Sequence, residues 1–251
     1  ESGNKTPEVS IVCNKLKISP QNLENKLKEY EIDVYKSNIN SNLFKITKLS
    51  DLSKLEPFEK GEFHVQDESS ALSVIILDPQ ERENILDVCA APGGKRIFAA
   101  ELMNNKGKII SRDIYEHKLE LIEQNSERLG INIIHTQLKD ASVLYEDDVE
   151  KFDRVLVDAP CSGFGIIRKK PDIKYNKTGN DIDSLSLLQK DILKAASKYV
   201  KKGGILVYST CTICKKENVK NIEWFLKNFD YEPCDISCYI PDSVKCDTAK
   251  N

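Results

Sequence analysis

No stretch of this 251-residue chain approaches eighteen consecutive apolar residues, the minimum for a helix that crosses a bilayer. No membrane partner is expected. The N-terminus also lacks the charged, apolar and small-residue pattern of an export signal, so the expected compartment is the cytoplasm. Net charge is only −3. That argues against holding nucleic acid by bulk charge and leaves a local basic patch as the way to do so. Two glycine signatures are missing as well. A P-loop would need Gly at position 89 and Ser or Thr at position 96, where the chain has Cys89 and Arg96; a phosphate cradle of that type is disfavoured. The dinucleotide pattern G-x-G-x-x-G does not occur.

Cysteine is abundant by contrast, with eight residues at positions 13, 89, 161, 211, 214, 234, 238 and 246. The chain is too long to be a small disulfide scaffold, and reduced thiols are expected without export. Cys211-x2-Cys214 and Cys234-x3-Cys238 come near a zinc-ribbon spacing. Yet Lys215–Phe229 between them reads as one amphipathic helix, and Cys211 ends a buried apolar strand, so no metal is expected. Nothing before Cys211–Cys214 suggests a thioredoxin-like redox pair. Hydrophobic content of 40% and charged content of 31% fit a globular protein, and a monomer is expected.

Asn84–Arg96, NILDVCAAPGGKR, organises the rest. Ile85, Leu86 and Val88 read as a buried strand, Cys89–Gly94 as a tight turn of small residues, and Ile97–Met103 as a helix. Such a unit aims a helix N-terminus and loose N–H groups at one spot, which suits a nucleotide or a carboxylate. The buried Asp87 within it needs a partner. Upstream, Val9–Lys17, Ile32–Tyr35 and Leu43–Ile46 read as strands. Ser19-Pro20 opens a helix, as cap and first position. Residues 1–60 therefore form a small α+β unit. Residues 61–83 read as a connecting strand and helix, with Phe58–Gly61 as linker and Asp67 capping Asp67–Leu77.

From residue 84 to 251 strands and helices alternate. The strands are Asn84–Val88, Gly107–Arg112, Asn132–Thr136, Phe152–Val157 and Gly204–Ser209. The helices are Gly94–Met103, Glu116–Leu129, Asp183–Val200 and Lys216–Phe229, with Leu185, Leu188, Ile192, Ala195 and Tyr199 lining the third. This predicts an α/β fold with a parallel sheet and helices on both faces. Ligands in such folds collect beyond the carboxyl ends of the strands. That rim carries Cys89–Lys95, Asp113, Asp140, Asp158-Ala159-Pro160-Cys161 and Ser209-Thr210-Cys211. Asp113 is placed to grip a ribose hydroxyl pair, and Asp140 to accept from an adenine amine. Cys161 and Cys211 are the sharper signal, because a thiolate adds readily to an electron-poor ring, and Lys95 or a helix N-terminus would lower a thiol pKa there. The run IRKKPDIKYNK follows, in which Arg168, Lys169, Lys170, Lys174 and Lys177 outnumber Asp172 around Tyr175. A basic loop with an aromatic, close to the thiols, suits contact with phosphate and base.

NILDVCAAPGGK, VLVDAPCSGFGIIRKKPDIKY and LVYSTCTI together resemble the S-adenosylmethionine-dependent RNA cytosine-C5 methyltransferases. The loop GIIRKKPDIKY is most similar to the bacterial branch acting on small-subunit (16S) rRNA. EVSIVCNKLK and GEFHVQDESSALSVIILDP resemble that family's RNA-binding subdomain and linker. The resemblance implies a Rossmann-like class I methyltransferase fold, rRNA as partner and S-adenosylmethionine as cofactor, leaving as S-adenosylhomocysteine. It implies that Cys89, Ala90, Ala91, Pro92, Gly93, Gly94 and Lys95 form the cofactor loop. Asp113 and Asp140 would hold ribose and adenine, and Asp158 would lie beside methyl donor and target base. It implies Cys211 as nucleophile, Cys161 as the thiol that helps product release, and Arg168, Lys169, Lys170, Lys174 and Tyr175 on the RNA. Three departures stand out. Arg96 replaces a usual Thr, and Val12-Cys13-Asn14 replaces Arg-Val-Asn. The family's helical N-terminal domain and closing C-terminal strands are expected to be missing. Other readings stay open: a cytosine-C5 methyltransferase acting on tRNA, one acting on DNA with Cys161 attacking, and a non-catalytic RNA-binding assembly factor.

Overall fold

The computed structural model describes residues 9–46, 51–90, 93–167, 172 and 179–240. Two sheets organise it. The first is antiparallel, with strand order β2-β3-β1-β4. Its strands are β1 (Val9–Cys13), β2 (Val34–Lys36), β3 (Leu43–Ile46) and β4 (Phe63–Val65). Side chains alternate across β1 as a strand requires. Ile11 and Cys13 pack with Leu23 and Leu27 of α1 (Pro20–Glu29), whereas Val12 faces the other way, into a cluster shared with the second sheet. Ser19 caps α1 by accepting from the Asn22 N–H, with Pro20 in the first turn.

Three differences from the sequence reading appear here. β1 stops at Cys13 rather than Lys17, because the Asn14 side chain turns inward and accepts from the Leu16 N–H. Phe58–Gly61 is not a plain linker: Glu56–Glu59 forms a one-turn helix, α2. Phe63–Val65 pairs with β1 and completes the first sheet, because Phe63 has an apolar pocket to fill beside Phe44.

The second sheet is parallel, in the order β7-β6-β5-β8-β9. It comprises β5 (Asn84–Asp87), β6 (Lys108–Asp113), β7 (Ile134–Leu138), β8 (Phe152–Asp158) and β9 (Val200–Ser209). Alternation divides its side chains between two layers. Ile85, Ile109 and Leu156 pack under α3 (Glu68–Leu77) and α4 (Gly94–Leu102). Leu86, Ile110, Val155 and Val157 pack against Ile192, Ala195, Ala196 and Tyr199 of α6 (Gly179–Tyr199). α5 (Glu116–Leu129) contributes Leu119 and Ile122 to a smaller cluster with Ala90. A parallel sheet covered on both faces is the arrangement expected of alternating strands and helices.

The boundaries shift in informative ways. β9 begins at Val200, directly after α6, and Gly203 and Gly204 lie inside it. The register slip between Phe152 and Arg154 on the partner strand absorbs them. The final helix, α7, runs Val219–Asn228 rather than from Lys216, since Glu217 and Asn218 point their side chains into a buried hydrogen-bond network.

Candidate active site

β8 and β9 are neighbours in register, with Asp158 opposite Ser209. The loops leaving both strands therefore emerge side by side. Cys161 follows β8 and Cys211 follows β9, and their sulfurs lie 3.2 Å apart. The Cys211 N–H also donates to the Cys161 sulfur at 3.3 Å. Gly165 permits this approach. Its N–H donates to the Cys211 carbonyl at 2.9 Å, and a Cβ there would sit 2.8 Å from that oxygen.

The two thiols are electrically unlike. The hydrogen bond from Cys161, helped to a lesser degree by the Lys95 ammonium, lowers Cys211 to about 7 against the opposing effects of burial and Asp158. The contact with Cys211 raises Cys161, with burial adding to the effect, although either sulfur can donate in that contact. Cys211 is exposed. An accessible thiol with a depressed pKa next to a protonated one is an activated nucleophile with a built-in proton donor. Cys89 is unlike either, since burial and then Asp87 push its thiol up.

Asp158 ends β8 beside this pair. Lys95, in the first turn of α4, meets its Oδ2 at 2.5 Å, and the Ser209 hydroxyl donates to Oδ1 at 2.9 Å. Both carboxylate oxygens are thus fixed in direction. Asp113 ends β6 and accepts from the Tyr115 N–H at 3.1 Å, with the Lys118 ammonium 3.7 Å away. Asp140 follows β7 and accepts from the N–H and hydroxyl of Ser142 at 2.8 and 2.7 Å. Cys89, Lys95, Asp113, Asp140, Asp158, Cys161 and Cys211 all line one cleft of about 580 Å³, a volume suited to a small organic ligand. Carboxylates at the carboxyl ends of β6, β7 and β8, on either side of β5, make it rich in acceptors, so a ligand with several hydroxyl or amino donors and a positive centre fits it.

Two further residues of the Cys89–Lys95 loop, Ala90 and Gly93, lie behind the cleft. Ala90 is buried and donates its N–H to the Arg112 carbonyl at 2.7 Å. Gly93 adopts φ +123° before α4, a backbone angle that side chains disfavour. Ala91 and Pro92 lie outside the described residues, as do Arg168, Lys169, Lys170, Lys174 and Tyr175. Arg96, the departure noted above, points beneath the loop, where its Nη2 meets Asp87 Oδ2 at 3.3 Å in a fully buried pair.

Sequence reasoning missed part of the lining. Asp67, Ser69 and Ser70 at the start of α3, and Ile114, Tyr115 and Leu188, also face the cleft. Asp67 was legible only as a cap, a role it does fill for the Ser69 N–H. Leu188 read as core because it shares helical spacing with Ile192, yet it is partly exposed at the cleft. Among the described residues no group of three or more His, Cys, Asp or Glu is placed to hold a metal ion, and no helix is long and apolar enough to cross a membrane.

Comparison with known proteins points the same way. A family model described as 16S rRNA methyltransferase RsmB/F matches residues 74–249. A Bacillus subtilis protein named probable ribosomal RNA small subunit methyltransferase B is 42% identical over 243 residues, covering 95% of this chain and 54% of that protein. A Pyrococcus horikoshii tRNA (cytosine(72)-C(5))-methyltransferase is 37% identical over 180 residues, covering 72% and 45%. The crystal structure of NSun6 from the same archaeon, solved with SFG, superposes with a TM-score of 0.81 at 25% identity, covering 88% of this chain and 79% of that one. The chain thus spans about half the length of the curated relatives it matches. With the family model covering most of its length and both thiol loops falling inside the match, the chain belongs to the RsmB/F family of 16S rRNA methyltransferases.

Proposed function

We propose that this chain carries the catalytic centre of an S-adenosylmethionine-dependent RNA methyltransferase that forms 5-methylcytidine, with small-subunit rRNA as substrate. The observation that carries the reading is the lowered, exposed Cys211 thiol held 3.2 Å from Cys161 in the same cleft as Asp158. The names of the relatives supply the substrate class and the position on the base. Asp113 and Asp140 would grip the cofactor through its ribose hydroxyls and adenine amine, and the cofactor supplies an electrophilic methyl group when bound.

The chain's own residues carry the rest. Carbon 5 of cytosine is a poor nucleophile. The Cys211 thiolate adds to carbon 6, and the electron pair of the 5,6 double bond becomes available at carbon 5. Asp158, anchored by Lys95 and Ser209, faces ring N3 and the amino group and stabilises the charge developing there. After methylation a solvent water takes the carbon 5 proton, the freed C–H electron pair restores the 5,6 double bond, and the carbon–sulfur bond breaks with its pair on the Cys211 sulfur. Cys161, still protonated, donates to the departing sulfur and favours its release. The base must be outside a helix for attack on its face, so a loop or flipped base is the substrate form. The N-terminal unit and the run Arg168–Tyr175 are the proposed RNA contacts.

The test is methyl transfer from labelled S-adenosylmethionine to unmodified small-subunit rRNA, with nucleoside analysis and Cys211→Ala in parallel. The expected outcome is 5-methylcytidine with the parent protein and none with the variant. Activity retained in Cys211→Ala and lost in Cys161→Ala would reverse the thiol roles, as in the DNA-type reading. Cys211 is the exposed member of the pair and Cys161 the half-buried one, which favours Cys211 as the attacking thiol. Methylation of tRNA but not rRNA would move the substrate while leaving the chemistry.

A further inference from the structure

Behind the thiol pair lies a string of buried polar side chains that the chemistry above does not use. Glu217 is at its centre, fully buried just before α7. Its Oε2 accepts from the Ser162 N–H at 2.8 Å and from Gln189 Nε2 at 3.0 Å. Its Oε1 accepts from the Ser162 hydroxyl at 2.5 Å. Ser162 also meets the Thr212 hydroxyl at 2.8 Å. Ser162 has one proton and gives it to Glu217, so Thr212 donates to Ser162. Thr212 in turn accepts from the Cys214 N–H at 3.1 Å. The result is a single directed chain from Cys214 through Thr212 and Ser162 to the Glu217 carboxylate. Ser162 directly follows Cys161, and Thr212 directly follows Cys211.

We propose that Glu217 is a positioning residue for the thiol pair: its buried carboxylate ties the Cys161 loop to the Cys211 loop through Ser162 and Thr212 and so sets the contact between the two sulfurs. Three features favour this over simple packing. A buried carboxylate is costly to desolvate, and apolar residues would join two loops more cheaply. Both loops are gripped at the residue next to the sulfur, where a small rotation moves the sulfur most. Gln189, which shares the carboxylate, also donates to the Pro160 carbonyl at 2.8 Å, so the residue before Cys161 is held from the same centre. Chained hydrogen bonds of one direction reinforce one another.

The inference rests on the proposed reaction only for its kinetic consequence. Its direct readout is the pH dependence of Cys211 alkylation by iodoacetamide, followed by peptide mass spectrometry. The groups facing that sulfur are Cys161, Asp158 and Lys95. In the parent protein the midpoint should lie at about 7. In Glu217→Gln the carboxamide presents N–H to one of its three donors, the clamp loosens, and the midpoint should move toward the ordinary thiol value of about 8.5. Thr212→Val should move it in the same direction, and Thr212→Ser, which keeps the hydroxyl, should restore the parent midpoint. Thermal melts identify any variant that fails to fold; if Glu217→Gln does, the Thr212 pair decides. With rRNA, kcat should fall while KM for cofactor holds. Midpoints unchanged in folded Glu217→Gln and Thr212→Val would overturn the proposal. Shifted midpoints without methylation by the parent protein would support it and instead count against the functional reading.

Discussion

At the scale of single residues, the difference between the two thiols is the feature with most chemical content. Cys211 is lowered because Cys161 donates to it, so Cys161→Ala removes that donor and raises Cys211. The acid limb of kcat/KM should therefore rise through about 7 in the parent protein and be displaced to higher pH in Cys161→Ala. A pH–rate series on both proteins reads this. The same variant should accumulate covalent RNA adduct, visible as a retarded band on a denaturing gel, because the leaving sulfur has lost its donor. Arg96 offers a second test. Burial drives Asp87 up and Arg96 down while each opposes the effect on the other. Arg96→Met leaves the Asp87 carboxylate buried without a counter-charge. Urea denaturation should report a loss of about 3 kcal/mol, the low end for breaking a buried pair because burial already disfavours its charged form.

At the scale of elements, the caps set where cleft-lining residues fall. Asp67 starts α3 and accepts from the Ser69 N–H at 2.9 Å, and Asp67, Ser69 and Ser70 line the cleft. Asp67→Ala should lower stability by about 1 kcal/mol, as loss of a cap does, and weaken cofactor binding measured by calorimetry. The alternating strands and helices of residues 84–229 were legible because short continuous apolar runs such as Val155-Leu156-Val157 alternate with segments of helical apolar spacing. The rim acids and both cysteines were legible because each follows a strand. Glu217 was not. Within an amphipathic pattern a Glu reads as a solvated position, and only the packed loops reveal that it faces inward. Ser162 and Thr212 read as turn residues for the same reason. Arg112 was equally silent. It lies within β6, fully buried between the rings of Tyr145 and Tyr199 at 5.4 and 5.2 Å, and is paired with Asp148. A charged residue in an apolar strand gives no sequence sign of partners thirty-six positions away.

At the scale of the whole molecule, the two sheets are joined by a compact polar seam. Asn14 Nδ2 donates to the Gly61 and Leu129 carbonyls, both at 2.9 Å. Lys17 reaches the Lys60 and Arg128 carbonyls at 2.7 Å, and the Arg128 guanidinium lies 3.9 Å over the Phe58 ring. Asn14→Ala should cost about 1–3 kcal/mol by leaving buried carbonyls unpaired. Limited proteolysis should then cut between the units sooner than in the parent protein. Acid sensitivity is a property of the whole fold too. Burial would raise Asp148, but the bonds from Lys139 and Arg112 outweigh it and hold the carboxyl below its usual value. Asp153 is lowered likewise, with Lys201 and the Asn84 N–H overcoming burial. Stability from these two groups is fully present above the ordinary carboxylate pKa and is lost as pH falls through the lowered one, so their contribution to a melt declines on the acid side. The parallel pairing of β8 and β9 has a consequence for how this protein tolerates change in length. Asp158 meets Ser209 because two strands end in step, and side chains along a strand alternate between faces. Deleting one residue inside β9 would send Ser209 to the opposite face and carry Cys211 out of line with Cys161. Length within the two strands is therefore fixed by the site they carry.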